Sequence, residues 1–339
     1  MTGLSSAPCE ILPAWYKEQA RDLPWRRTCD PYAVWISEIM LQQTQVSTVI
    51  PHYLRWLKRF PDVHTLSRAS EDAVLKAWQG LGYYRRARWL HKAARRIIEQ
   101  HGGLFPTSLE DIQALPGIGR STAGAIASIC FGIPAPVLDG NVRRVLQRWT
   151  GRNTMTEREL WPLAQKHVDG ADDPGTWNQA MMELGATVCT PRMPKCDSCP
   201  VCDFCASKNR DPSLTAGSRK SPRPRMDLHW RIHLHLDANR GLWLIRRSEH
   251  SIWSGLWSPP ISEMGQAPDT RPDHVHLLTH RRLLLYAHFE STPPDERTEG
   301  AWVHTTSRHA LPTGIVQLLR RCRLLDADGQ LITIAGASS

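Results

Sequence analysis

No part of this 339-residue chain is both long and uninterruptedly apolar. Its most apolar stretch, AGAIASICFGIPAPVL (123–138), is broken by glycine, proline and serine, which makes a poor membrane span. The N-terminal segment has prolines and scattered charges but no apolar core of the secretory kind. No internal repeat is visible. Acidic residues are in deficit, with 33 Asp+Glu against 42 Lys+Arg and a net charge of +9. These absences lead us to expect a soluble, intracellular chain, cytoplasmic and beside the nucleoid if the source is bacterial. The charge suits a polyanionic partner such as nucleic acid, and equally a basic soluble protein without one.

Cysteine is not scarce. There are nine, and five fall between Cys189 and Cys205. In a compartment that keeps thiols reduced, such crowding points to metal rather than to disulfides. Cys189, Cys196, Cys199 and Cys205 give the spacing C-x6-C-x2-C-x5-C. Ligand type alone leaves zinc and iron–sulfur open. The spacing is not the paired C-x2-C of zinc knuckles and resembles the [4Fe–4S] loop of the endonuclease III superfamily. Cys202 is an extra thiol; spacing favours Cys205 as the fourth ligand. Arg192, Lys195 and Lys208 make the loop basic.

Apolar residues recur at spacings of three and four through VIPHYLRWLKRF (49–60), EDAVLKAWQGLGYY (71–84) and ARWLHKAARRIIEQHG (87–102). Stop signals follow at Phe60-Pro61, Gly80 with Gly82, and Gly102-Gly103. Residues 1–207 are therefore expected to form a helical domain. A proline-rich basic stretch within 208–227 reads as a linker. Beyond it, LHWRIHLHL (228–236) alternates strictly and reads as a half-buried strand, and the turn DANRG before LWLIRR (242–247) predicts a hairpin. LLLYAHFE (283–290) and the helical run 313–325 complete a smaller α+β domain over 228–339. His229, His233 and His235 share one strand face, which could bind metal or be a solvated face.

Three features carry chemistry. Glu38 sits in WISEIMLQQTQV (35–46), where three of its four helical neighbours (Val34, Trp35, Leu41 and Gln42) are apolar. Desolvation there should raise its pKa. In LPGIGRSTAGAIA (115–127), Gly117 and Gly119 permit a tight turn, and the helix opening after them can face a phosphate. Asp139, in VLDGNVRRV (137–145), is placed to cap a helix and to stay ionised beside its positive end.

With the cysteine loop, the segments LPWR (23–26), SEIMLQQTQV (37–46), GLGYYRRAR (80–88), LPGIGRSTAGA (115–125), LDGNVRRV (138–145) and NQAMMELGA (178–186) resemble, in order, the MutY-type adenine DNA glycosylases. The resemblance covers roughly residues 15 to 322. It implies a helix–hairpin–helix glycosylase core with a [4Fe–4S] loop and a Nudix-like C-terminal domain. It further implies a monomer that binds double-stranded DNA and removes adenine mispaired with 8-oxoguanine or guanine. On that footing Glu38 is the general acid and Asp139 stabilises or traps the sugar cation. Asn141 positions Asp139 or the water. Trp25, Arg26 and Glu183 line the adenine pocket, and Gln43 and Tyr83 wedge the base stack. Ser121 stands where endonuclease III-like enzymes have a nucleophilic lysine, which implies base removal without strand scission. Arg143 stands where some members have lysine. Thr279 and His280 match the lesion-reading loop, in which Leu278 replaces an aromatic. No acidic Nudix hydrolase signature is present. The rival readings are a bifunctional glycosylase/lyase and a non-catalytic iron–sulfur DNA-binding protein.

Overall fold

The computed structural model describes residues 8–152, 154–208, 224–295, 297 and 299–332; most of the expected linker, 209–223, lies outside them. By contact the chain divides into two units, Met1–Ser67 with Lys92–Lys220, and Arg68–His91 with Ser221–Ser339.

The first unit is helical. It includes α1 (Pro8–Gln19), α2 (Pro31–Leu41), α3 (Val46–Arg59) and α4 (Val63–Arg68) near its start. Asp30 starts α2 by accepting the amides of Tyr32 and Ala33 at 3.2 Å, with Pro31 at the first helical position. The residues of α2 from Tyr32 to Ser37, with Ile39 and Met40, are buried, as expected of a helix that is apolar all round. With α5 (Glu71–Trp78) and the start of α6 (Arg85–His101) falling in the other unit, the bundle continues through α7 (Leu109–Ala114), α8 (Arg120–Phe131), α9 (Gly140–Trp149), α10 (Glu157–Asp169) and α11 (Pro174–Thr187). Leu12, Val142, Leu146, Leu160, Trp177 and Leu184 anchor a core among α1, α9, α10 and α11. Glycines let backbones touch. A Cβ on Gly124 would lie 2.3 Å from the carbonyl oxygen of Pro136, and one on Gly185 would lie 2.6 Å from Asn141 Cβ. After α11 the chain enters a loop of tight turns that carries the cysteine cluster.

The second unit holds β1 (Met226–Leu234), β2 (Leu236–Asp237), β3 (Gly241–Arg246), β4 (Trp257–Ser258), β5 (Ile261–Met264), β6 (His274–Leu277), β7 (Arg281–Phe289), β8 (Gly300–Val303) and α12 (Thr313–Arg321). One sheet runs β5-β1-β7-β6, and a second runs β2-β3-β4 with β8 also on β3. Trp230, Ile232 and Leu234 face a core shared with Leu244, Leu285, Ile315 and Leu318, as their alternation requires. The expected hairpin forms only in its last rungs, where Leu236 pairs with Leu242. Its long first arm instead pairs in parallel with β7 and antiparallel with β5. Alternation reveals which face of a strand is buried, not which neighbour supplies its hydrogen bonds.

The segment from α5 into α6 joins this unit through polar contacts. Arg246 pairs with Glu71 at 3.1 Å, Trp257 Nε1 donates to Asp72 at 3.3 Å, and Gln79 donates to the Leu311 carbonyl at 3.0 Å. Arg88 donates to Ser254 Oγ at 2.9 Å. No helix among the described residues is long and apolar enough to cross a membrane.

Candidate active site

A cavity of about 430 Å³ opens in the first unit, and Glu38, Asp139, Asn141, Ser121, Trp25, Arg26 and Glu183 all line it. Glu38 comes from the middle of α2, and its pKa is pushed up to about 7. Burial is the larger cause, the Asp139 charge adds to it, and Arg26 opposes. Asp139 caps α9. Its Oδ1 accepts the amides of Asn141 at 2.9 Å and Val142 at 2.7 Å, and its Oδ2 accepts Asn141 Nδ2 at 3.0 Å. The capping role weighed from sequence is therefore real, and it leaves the carboxylate on the cavity wall. Ser121 Oγ accepts the Leu138 amide at 3.0 Å, which ties α8 to the residue before Asp139.

Trp25 and Arg26 form a single 3-10 turn after Pro24. Trp25 packs edge-on against Tyr53, and Arg26 lies over the Tyr16 ring. Glu183 is fully buried but not free. Arg21 grips Oε1 and Oε2 at 2.7 Å each, and Arg26 reaches Oε2 at 2.7 Å. Burial would raise its pKa; the arginine hydrogen bonds outweigh that and bring it to about 2.

Sequence reasoning passed over Arg21 and Arg144. Arg143, which stands where some members of the resembled family have lysine, pairs with Glu157 at 2.5 Å. Arg144 is the residue turned inward. Its NH2 donates to Asn141 Oδ1 at 2.9 Å and to the Gly185 carbonyl at 2.6 Å, and its Nε donates to the Cys189 carbonyl at 2.8 Å. One turn on, Arg148 donates to Cys189 Sγ at 3.3 Å and to the Thr190 carbonyl at 2.8 Å. The four-residue spacing from Gly140 through Arg144 to Arg148 on α9 was the available signal.

Cys189, Cys196, Cys199, Cys202 and Cys205 all border one hollow of about 40 Å³. Arg148 Nε and Ser207 Oγ belong to residues on the same wall, and both atoms are buried without a hydrogen-bond partner. Among the described residues, no three His, Cys, Asp or Glu side chains gather round one point in a way that would hold a single metal ion. Cys205 Sγ contacts the Arg148 carbonyl at 3.5 Å, whereas Cys202 Sγ is directed at Asp203 at 3.7 Å. The hollow, its sulfur donors and the buried donors beside them fit a thiolate-bound group.

The other expected residues lie elsewhere. Gly117 turns the α7–α8 connection at φ 80°. Gly119 caps α8 with no side chain on its first-turn amides. Gln43 is exposed, and its φ of 58° is left-handed. Tyr83 is half exposed with φ 45°, and its hydroxyl shares a hydrogen bond of 2.5 Å with Thr279 Oγ1. Only four described non-glycine residues have positive φ, and these are two of them; such backbone strain concentrates at functional positions. Leu278, Thr279 and His280 form the connection between β6 and β7. His229 and His233 of β1 and His235 just after it do not converge: His229 bonds Tyr286, His233 bonds Glu290 and Ser262, and His235 bonds the Thr292 carbonyl.

Residues 36–167 match the model of the HhH-GPD superfamily base excision DNA repair proteins. The chain is 49% identical over 211 residues to an adenine DNA glycosylase of Homo sapiens, covering 58% of this chain and 38% of that protein. It is 39% identical over 250 residues to an adenine DNA glycosylase of Buchnera aphidicola subsp. Baizongia pistaciae, covering 73% and 71%. It thus spans about two fifths of the length of the mammalian relatives it matches. Among solved structures, a thermostable thymine-DNA glycosylase superimposes with a TM-score of 0.55 at 28% identity, over 59% of this chain and 94% of that one. A trapped endonuclease III–DNA covalent intermediate gives 0.52 at 23% identity, over 59% and 93%, which bears on fold alone.

Proposed function

The chain belongs to the adenine DNA glycosylase family, and from that membership we propose that it hydrolyses the N-glycosidic bond of adenine mispaired with 8-oxoguanine or guanine in double-stranded DNA. The observation that carries the reading is the pair of carboxylates on one cavity wall, with Glu38 pushed up to about 7 and Asp139 held by three hydrogen bonds.

In this reading adenine is flipped into the cavity. Trp25, Arg26 and Glu183 bound it there, the last two locked to each other and to Arg21. Neutral Glu38 donates its proton to N7 of the departing base. Asp139 faces the sugar cation as an anion, and Asn141 keeps it aimed. Water then completes hydrolysis. Ser121 offers no amine, and its hydroxyl oxygen is committed to the Leu138 amide, so bond cleavage stops at base removal. Gln43 and Tyr83 wedge the stack, Gly117 and Gly119 present amides to a phosphate, and Thr279 with His280 reads the lesion from a Nudix-like domain. The protein acts as a monomer inside the cell.

Cys189, Cys196, Cys199 and Cys205 would hold a [4Fe–4S] cluster. Thiols spread round a hollow, with Arg148 donating to Cys189 Sγ, suit a multi-iron group better than zinc. Bound by these thiolates, the group would cross-link the loop that Arg144 and Arg148 tie to α9.

The test is a single-turnover assay on duplexes with adenine opposite 8-oxoguanine, guanine, cytosine or thymine, scored with and without alkali. Release opposite the first two, with strand breaks only after alkali, is expected. Breaks without alkali, matched by a borohydride-trapped adduct, would establish the bifunctional lyase instead. Binding without adenine release would establish a non-catalytic role.

A further inference from the structure

The second unit carries another constellation of nucleophile, imidazole and carboxylate, none of them among the residues assigned to base removal or lesion reading. Ser262 lies on β5, His233 on β1, and Glu290 directly follows β7. His233 Nε2 is 2.8 Å from Ser262 Oγ, and His233 Nδ1 is 2.5 Å from Glu290 Oε1. With Nδ1–H donating a hydrogen bond to the Glu290 carboxylate, Nε2 is left to accept the serine hydroxyl proton in a hydrogen bond. Nucleophile, base and orienting acid thus stand in the order that activates serine on several unrelated folds.

The strand pattern explains the grouping. Trp230, Ile232 and Leu234 turn into the core, so Arg231 and His233 emerge on the opposite face. Register sets Ser262 across from Arg231 and His288 across from His233, so paired side chains share that face. His288 Nε2 lies 3.8 Å from Glu290 Oε1, a second imidazole on the same carboxylate.

Oxyanion donors are also at hand. Among the described residues, β5 is the end strand of its sheet. His233 N donates to the Pro260 carbonyl at 2.9 Å. Hydrogen-bonded pairs alternate in an antiparallel ladder, so Arg231–Ser262 is another such pair, and the amides of Ile261 and Glu263 point to the open edge. The amide following the serine is therefore available to a developing oxyanion.

We propose that Ser262, His233 and Glu290 form a second, acyl-transfer site that takes small activated carboxylic esters. Ser262 Oγ bonds to the acyl carbon while the ester C–O bond breaks, and His233 passes the serine proton to the leaving alcohol. Water then adds its hydroxyl to the acyl carbon and its proton to His233. The carboxylic acid leaves and the proton returns to Ser262. Because Ser262 is exposed, selectivity should be low and reactivity visible with small probes.

The experiment treats the full chain with a fluorophosphonate probe and, separately, with p-nitrophenyl acetate. One probe per chain, mapped to Ser262, is expected, together with a burst of nitrophenol. Ser262→Ala should abolish both, His233→Gln should slow labelling at least tenfold, and Glu290→Gln should slow it less. Adenine release by the three variants, unchanged from wild type, monitors their folding and keeps this site's fate separate from that of the glycosylase. No labelling of the native chain, labelling elsewhere, or an unchanged rate in folded His233→Gln would overturn the proposal.

Discussion

Glu38 and Glu183 line the same cavity and are driven in opposite directions. Glu183 meets two arginines and falls to about 2; Glu38 meets apolar side chains and another carboxylate and rises to about 7. Between the ordinary value of 4.5 and about 7, the folded chain holds a proton on Glu38 that the unfolded chain has lost. Stability therefore falls as pH rises through that window, by roughly 3 kcal/mol from this group. Glu38→Gln should match wild type in urea melts near pH 4 and exceed it by about that amount near pH 8. The same substitution should slow adenine release at least ~100-fold, and the wild-type rate should decline above pH ~7 as the acid is lost. Melts that stay superimposed near pH 8 would mean that Glu38 is not desolvated. The environment of Glu38 was legible in its helical neighbours. The grip on Glu183 was not, because Arg21 is 162 positions away and nothing in its local sequence marks a partner.

Helix α9 carries Asp139 at its start, Asn141 and Arg144 in its first two turns, and Arg148 before its end. One element thereby joins the cavity to the cysteine loop by hydrogen bonds. Arg144→Lys keeps the charge but loses the planar fork that spans Asn141, Gly185 and Cys189. It should slow adenine release by about tenfold, because Asn141 is freed to turn from Asp139, while binding of duplex carrying a non-cleavable adenine analogue stays within about twofold. An equal loss in both measurements would refute a positioning role. Gly185→Ala pushes a methyl into Asn141 across the α9–α11 contact. It should cost about 1–3 kcal/mol of stability and lower the release rate further than the stability loss accounts for. The helices themselves were legible from period and stop signals. Their closest approaches were not, since a glycine in sequence does not say which backbone it lets near.

The whole molecule carries a net charge of +9, which predicts salt-sensitive binding to duplex. Each phosphate neutralised should add about −0.9 to the slope of log K against log salt, and a slope near zero in a titration would remove nucleic acid as the partner. Composition, helical period, the cysteine spacing and the alternation of β1 were fixed by local chemistry, because each depends on residues within a few turns or rungs of one another. Mostly helical character and a C-terminal α+β unit followed from them, and the apolar setting of Glu38 was visible beside them, whereas Asp139 was marked as more than a helix cap only by the family resemblance. Tertiary structure alone decided the rest. It sent the first arm of the expected hairpin into another sheet and grouped Arg68–His91 with the β unit through Glu71, Asp72, Gln79 and Arg88. It also turned Arg144 rather than Arg143 inward and set His233 between Ser262 and Glu290. These outcomes depend on partners tens to hundreds of residues away. The competition among them is settled by which packing buries the apolar faces and satisfies the polar groups together, and no local pattern contains that sum.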